Sequence, residues 1–299
     1  MKSTDPNNNP LKKKTPREPS LAIPILSNPI PGERMVRTVY DMEYAFHWCP
    51  AGSFIMGSPE KEIGRYIDEI QHQVILTKGF WMLETQVTVG MFRQFTSRSR
   101  YKSAGETPWG WNGEELVENP KYSWRNPGFP QTNSHPVVNV SWHDAQAFCV
   151  WLGRRLKAHV TLPTEAQWEY ACRAGTTTAL NNGKDLTDEI YDCANLNEVA
   201  WYNWQNQNIM TSHEVAQKRP NAWGLYDMHG NVWEWCADWE GPYPSGPTTD
   251  PTGKLYSMDR VVRGGGWNND AEYCRSANRL SDFPKIRDIN IGFRVILIP

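Results

Sequence analysis

The C-terminal segment, residues 260–297, constrains this 299-residue chain more than any other part of it. Residue types that fix a backbone recur along it: glycines that permit close chain approach, large aromatic rings, and arginines that form several hydrogen bonds. We call these the frame residues: Gly264, Gly265, Trp267, Cys274, Arg275, Arg279, Gly292 and Phe293. Mostly polar side chains stand between them. This alternation predicts a fixed backbone that carries exchangeable side chains, as a recognition surface does.

The exchangeable positions are the candidate ligand-binding residues, and we call them the surface set. They are Asn268, Asn269, Asp270, Tyr273, Asn278, Leu280, Ser281, Asp282, Phe283, Ile286, Asp288 and Asn290. Tyr273 and Phe283 are the best anchors, because aromatic side chains dominate binding hot spots and lose little entropy on contact. The alternative interpretation is an ordinary polar loop that closes the domain.

Net charge, hydropathy and cysteine spacing exclude several classes of partner and site. A net charge of -2 gives no electrostatic footprint for nucleic acid, so we expect no nucleic-acid partner. No apolar run reaches the length of a membrane span and the N-terminus has no hydrophobic signal segment, so we expect no membrane insertion and a cytoplasmic location. The six cysteines never stand at Cys-x-x-Cys spacing, which favours buried reduced thiols over a zinc knuckle.

The pattern along the chain predicts one domain after a flexible arm. Residues 1–34 are rich in Pro, Asn and Lys without an apolar face, and the domain occupies residues 35–299. Alternation from residue 36 predicts a strand pair around Asp41. Ser141 caps a predicted helix over residues 142–157, Thr164 and Gln167 form a capping box for a helix that Gly175 ends, and a third helix starts at Thr88.

Three stretches carry a family resemblance. Residues 162–175, residues 221–236 and the C-terminal segment resemble, in this order, the formylglycine-generating-enzyme-like family, also called the sulfatase-modifying-factor domain, from about Met35 to Val295. The resemblance implies an α+β fold of the C-type-lectin-like type, with two packed helices, small twisted antiparallel sheets and long ordered loops. Function has to be argued from the site.

The resemblance also implies a calcium site in residues 227–234. Carried over to this chain, the ligands are the carboxylates of Asp227 and Glu234 and the backbone carbonyls of Gly230 and Val232. Oxygen donors suit a hard cation, and Gly230 permits the tight turn that brings carbonyls together. The alternative is a turn stabilised by Asp and Asn side chains alone.

The enzymes of this family, as the resemblance implies them, hold copper(I) with a pair of cysteines near the C-terminus. Soft thiolates suit Cu(I), and one thiolate alone holds it poorly. This chain has Asn268, Asn269 and Asp270 where the first thiol belongs, and Cys274 either matches the second thiol or falls just beyond it. We therefore expect no copper site and no oxygenase activity.

A non-enzymatic branch of the resemblance fits better. The ending is similar to the variable proteins of diversity-generating retroelements, which change surface residues by adenine-directed mutagenesis of Asn codons. Every member of the surface set is Asn or a residue reached by changing adenines in an Asn codon, whereas Glu272 and Lys285 are not. The hypothesis is a variable protein that binds an unknown protein or peptide ligand. The alternatives are an active or vestigial oxidoreductase and an accessory domain with a fixed partner.

Overall fold

The computed structural model describes residues 29–187, 192–202 and 211–299. Its strands are β1 Arg34–Val39, β2 Met42–Cys49, β3 Gly52–Met56, β4 His72–Leu76, β5 Phe80–Leu83, β6 Trp109–Trp111, β7 Leu116–Glu118, β8 His159–Thr161, β9 Ala200–Trp201, β10 His229–Gly230, β11 Trp233–Trp239, β12 Thr248–Thr249, β13 Arg260–Arg263, β14 Arg279–Asp282, β15 Ile291–Gly292 and β16 Ile296–Ile298. Its helices are α1 Val89–Ser99, α2 Trp142–Leu156, α3 Glu165–Arg173 and α4 Ala194–Asn197, with a 3₁₀ turn at Ala271–Cys274.

Two sheets organise the chain. The five-stranded sheet has the order β1-β2-β5-β16-β8, so the last strand is inserted between strands from earlier in the chain. The four-stranded sheet has the order β14-β13-β11-β15, which leaves β14 at its edge. Helices and small, mainly antiparallel sheets share one chain, and the predicted α+β class is confirmed.

The predicted strand pair is present. β1 and β2 pair antiparallel across a turn at Tyr40 and Asp41, where Tyr40 adopts a φ of 57°. β1 starts at Arg34, and the amide of Gly32 donates to the carbonyl of Trp48, so residues just before the predicted boundary also contact the domain. Most of the predicted arm, residues 1–28, lies outside the described residues.

Local capping signals placed the three long helices correctly. The Ser141 hydroxyl accepts from the amide of Asp144, whose side chain bonds back to Ser141, so α2 begins with a capping box. Thr164 and Gln167 form the same arrangement at α3, and Thr88 caps α1. None of the helices among the described residues has the length and apolar character needed to cross a membrane.

Aromatic rings join α1 and α2 to the C-terminal segment. Phe92 of α1 and Phe148 of α2 stack with ring centres 6.2 Å apart. Phe293 contacts both rings edge-on, at 6.3 and 5.4 Å, and is fully buried. The frame residue Phe293 therefore fixes the end of the C-terminal segment in the main core.

Candidate ligand-binding surface

Buried ion pairs hold the C-terminal segment to the rest of the domain. Arg279 forms two hydrogen bonds, of 2.8 and 2.9 Å, with the carboxylate of Glu165 on α3. Arg275 bonds twice to Glu69, at 2.7 and 2.6 Å. Burial alone would raise the pKa of Glu165, but Arg279 and the neighbouring Arg263 lower it below its ordinary value. The predicted structural role of Arg275 and Arg279 is confirmed.

Two further arginines belong to this system, although sequence reasoning did not single them out. Arg263 is fully buried and bonds to Glu169 of α3 and to the carbonyls of residues 276–278. Arg294 is fully buried against Glu234, with bonds of 2.7 and 2.8 Å. Local sequence patterns do not indicate their role, because the acidic partner of each arginine lies 60 or more residues away in the sequence.

The glycine pair at the start of the segment allows close packing over Cys274. Gly264 and Gly265 have φ values of 102° and 77°, which favour glycine. A Cβ on Gly265 would lie 2.6 Å from the Cys274 sulfur. The thiol is fully buried, and burial raises its pKa above the ordinary value. Cys274 is therefore a packing residue with little thiolate character.

The outward-facing part of the surface set lies on the edge strand β14 and the loop after it. Leu280 is 42% exposed, which makes it the most open of these side chains. Ser281, Asp282, Phe283 and Ile286 are partly exposed, as is Asp288. The loop backbone is fixed by two other segments. The backbone amide of Glu106 donates to the carbonyl of Lys285, and the backbone amide of Trp142 donates to the carbonyl of Pro284.

The earlier part of the surface set has a different character. The Asn269 amide oxygen accepts from the indole of Trp233 at 2.8 Å and from the amide of Gly266 at 3.0 Å. Asn290 donates to Asn268 at 2.9 Å and so ties the two ends of the surface together. These amides hold the loop in place, and Asn269 behaves as part of the frame.

Tyr273 and Asp270 are the aromatic and the acidic residue in the earlier part of the surface set. The Tyr273 ring lies 6.0 Å from Tyr66 and 6.5 Å from Trp233, centre to centre. Asp270 precedes the 3₁₀ turn and is partly exposed. Tyr273 is therefore a partly exposed ring that packs against two aromatic neighbours.

For one member of the surface set, Asn278, the predicted exposure is wrong. Asn278 was predicted to face the ligand, but its side chain is fully buried. The reason is Arg263, whose guanidinium bonds to the carbonyls of Ser276, Ala277 and Asn278 and draws this stretch into the interior. Asn278 is therefore removed from the candidate surface.

A buried cysteine and histidine also support the segment. The sulfur of Cys172 lies 3.8 Å from His229 Nε2, which accepts from the amide of Asn181, while His229 Nδ1 donates to the carbonyl of Cys274 at 2.6 Å. Burial lowers the pKa of His229 to about 4 and raises that of Cys172 to about 12. Both groups are neutral at physiological pH, so the contact is structural.

The loop predicted to bind calcium does bring carbonyl oxygens together. Those of Asp227, Gly230 and Val232 lie 3.2, 3.4 and 3.1 Å from a single atom, the side-chain nitrogen of Gln86. Neither the amide oxygen of Gln86 nor Oδ1 of Asp227 has a hydrogen-bond partner within the described part of the chain, although both are buried. Buried oxygens of this kind are the donors that a hard cation binds.

Glu234 does not fit the predicted ligand set. Its two oxygens are taken by Arg294, and one of them also accepts from the Trp168 indole at 2.7 Å. The Gln86 side-chain nitrogen donates to all three carbonyls from the centre of the cluster, so a cation would take the place of this nitrogen and could then bind the Gln86 amide oxygen as a fourth ligand. The residues that fit calcium are therefore Asp227, Gly230, Val232 and Gln86. In the described ranges, no cluster of three His, Cys, Asp or Glu side chains could hold a metal by itself.

Comparison with known proteins places this geometry in a family. A family model described as "Sulfatase-modifying factor enzyme 1-like domain" matches residues 36–298. The mouse formylglycine-generating enzyme is 31% identical over 281 residues, covering 82% of this chain and 73% of the relative. The mouse protein named inactive C-alpha-formylglycine-generating enzyme 2 is 30% identical, covering 82% and 83%. Because an enzyme and an inactive relative match equally well, identity alone does not decide activity.

One solved structure that resembles this chain is not named as an enzyme. Treponema denticola variable protein 1 superposes with a TM-score of 0.69 at 25% identity, covering 89% of this chain and 99% of that one. The chain is therefore similar in structure to a variable protein and similar in sequence to enzymes. By the family model and by these relatives, the chain belongs to the sulfatase-modifying factor enzyme 1-like family.

Proposed function

We propose that this protein is a non-catalytic binding protein of the variable-protein type, which presents its C-terminal segment to a protein or peptide ligand. The observation that carries the proposal is the separation of two kinds of side chain. Arg275 and Arg279 are buried in ion pairs, whereas Leu280 next to them is 42% exposed on an edge strand. A side chain that projects from a pinned backbone can be exchanged without rebuilding the core.

The contact groups of such a surface are those that are rigid and partly open. Phe283 and Tyr273 are half-buried rings, and Ile286 packs partly against the main core. A ring already held by its neighbours loses little entropy when a ligand contacts it, which favours binding. We assign Leu280, Ser281 and Phe283, with Ile286, as the principal contact residues, and Asn269 as support.

The oxidoreductase alternative is less well supported. The six cysteines are free and buried, and Cys274 is covered by Gly265. Where the family's first copper thiol belongs, the side chain of Asn269 is bonded to Trp233. A substrate thiol and a metal need an open thiolate pair, and Cys274 offers a single protonated thiol.

A pair of display libraries tests the proposal. One library randomises Leu280, Ser281, Phe283 and Ile286, and its matched control randomises Trp267, Arg275 and Phe293. Both are displayed on yeast, sorted for resistance to protease, and then selected for binding to biotinylated hen lysozyme. We expect the surface library to retain folded clones and yield binders, while the control library loses the fold. Equal loss of folded clones, or a surface library without binders, would contradict the proposal.

We also propose that calcium occupies the cradle formed by Asp227, Gly230, Val232 and Gln86. A hard cation there would satisfy the two buried oxygens that lack a partner. Its role would be structural, because the same loop leads into β11, which pairs with β13 and β15 of the sheet that carries β14. The chelation experiment described in the Discussion tests this proposal.

A further inference from the structure

A cleft on another part of the molecule has the features of a small-molecule site. It has a volume of about 320 Å³ and lies between the start of α3, the end of β11 and the loop that follows β11. Tyr243, Trp239, Met56 and Ala166 supply much of its wall. Small-molecule pockets are usually concave and mainly apolar, with few polar groups. Neither the surface set nor the calcium cradle contributes to this cleft.

The polar group of interest in the cleft is Asp238. Its side chain is buried, with 3% exposure for the residue, and it lines the cleft. One carboxylate oxygen, Oδ2, accepts from the backbone amide of Glu165 at 2.9 Å. The other oxygen, Oδ1, has no hydrogen-bond partner among the described residues. It is close to Gly253, where a Cβ would lie 3.1 Å from it.

Three charged groups near Asp238 have other partners. Glu165 and Arg279 bond to each other. The Arg260 guanidinium lies between the rings of Trp142 and Trp239, at 3.9 and 3.4 Å, and bonds to the carbonyl of Ala237. His72 and Lys254 also line the cleft. In the part of the chain that the structure describes, the Asp238 carboxylate bonds to the Glu165 amide through Oδ2 alone, so Oδ1 is available to a ligand.

We propose that this cleft binds a small organic amine, with the ammonium group bonded to Oδ1 of Asp238 and the apolar body against Tyr243, Trp239 and Met56. An ammonium group supplies both a hydrogen-bond donor and a positive charge directly to this oxygen. Burial, reinforced by Glu165, raises the pKa of Asp238 to about 7. A bound cation would lower that pKa, so amine binding and proton release from Asp238 are coupled.

Calorimetric titration of the full chain with benzylamine tests the proposal, with benzyl alcohol as the neutral probe of similar shape. Benzylamine stays protonated at pH 6 and pH 8, whereas Asp238 with a pKa of about 7 changes its ionised fraction about tenfold. We expect benzylamine to bind about tenfold more tightly at pH 8 than at pH 6. Benzyl alcohol should bind weakly and without this pH dependence.

Two variants assign the effect to one carboxylate. Asp238→Asn keeps the oxygen that accepts from the Glu165 amide but removes the negative charge, so it should abolish the preference for the amine. Because His72 lines the same cleft and is unchanged in this variant, the result distinguishes the effect of Asp238 from that of His72. Asp68→Asn removes an equal charge near Arg279 outside the cleft and should leave benzylamine binding unchanged. Equal binding of the amine and the alcohol, no binding of either, or an unchanged preference in Asp238→Asn would overturn the proposal. The comparison of probes uses the unmodified protein and does not depend on the variants folding.

Discussion

Arg275 and Glu69 stand 206 residues apart in the sequence, and their side chains meet in two buried hydrogen bonds of 2.7 and 2.6 Å. The same guanidinium bonds to Glu62 at 2.7 Å and to the carbonyl of Gly64. One side chain of the C-terminal segment thereby fixes an entire loop from the first quarter of the chain. Contacts of this kind fix the backbone of the C-terminal segment.

Removal of this arginine should therefore be costly. Arg275→Met leaves Glu69 and Glu62 buried without a counter-charge, and we expect it to lower the free energy of unfolding by about 3–5 kcal/mol. Adding Glu69→Gln to the same chain should recover part of the loss, because one of the uncompensated charges is gone. Urea denaturation of the parent, the single variants and the double variant measures the coupling. A loss below about 0.5 kcal/mol, typical of surface substitutions, would show that the pair does not hold the segment.

The protein should be chemically silent toward thiol substrates. Because Cys274 is buried and its pKa is raised, a native sample should react slowly with a thiol-specific dye, and unfolding in denaturant should expose the six cysteines together. Incubation with Cu(I) and a cysteine-containing peptide should give no aldehyde by mass spectrometry. Aldehyde that forms with the parent and disappears in Cys274→Ser would restore the enzymatic interpretation.

Calcium should stabilise the fold through Asp227. If the cradle holds the ion, a chelator lowers the melting temperature, because a ligand bound only by the folded state stabilises it. Asp227→Asn retains the bond from Ala216 but weakens the cradle, and should remove the difference between chelated and calcium-loaded samples. Glu234→Gln is the informative control: since Glu234 pairs with Arg294, it should destabilise both samples and leave their difference intact. A parent protein that melts identically in both buffers argues against the ion.

Asp288 gives the surface a pH dependence of defined sign. Burial raises its pKa to about 6, so the folded state favours the protonated acid. The stabilising contribution is fully present below the unfolded pKa of about 4 and is lost as pH rises through about 6. Asp288→Asn keeps the acceptor for the Asn290 amide and should raise the melting temperature at pH 7 but not at pH 3.5. Glu115→Gln, at an exposed site, serves as the control, and a variant less stable than the parent at pH 7 would reverse our assignment.

Features set by neighbouring residues could be predicted from the sequence. The capping boxes at Ser141 and Thr164 and the turn at Asp41 depend on side chains within three or four positions, and all three are present. The structural roles of Arg275 and Arg279 followed from their setting among glycines and aromatics. Their partners did not, because nothing in the local pattern around Arg275 indicates Glu69.

Long-range contacts account for what sequence reasoning missed. Gln86 donates to carbonyls of residues 227–232 from more than 140 positions away in the sequence, and no local spacing pattern predicts this contact. Asn278 has the same polar residue type as Asn268 and Asn269, yet it is buried because Arg263 bonds to its backbone carbonyl. The cleft at Asp238 was missed for the same reason, since its walls come from β3, β4, α3 and the loop after β11. The arrangement of the site thus depends on which distant elements pack together.

Thermal melts of matched variants test the separation of frame from surface most directly. Leu280→Ala and Ser281→Ala alter exposed or partly exposed side chains and should change stability by about 0.5 kcal/mol. Trp267→Ala and Phe293→Ala remove buried rings and should cost about 3–5 kcal/mol. Asn269→Ala should fall between the two groups, because it leaves the Trp233 indole without its acceptor. If the Leu280 and Ser281 variants unfold as readily as those at Trp267 and Phe293, the segment is core structure and does not display a binding surface.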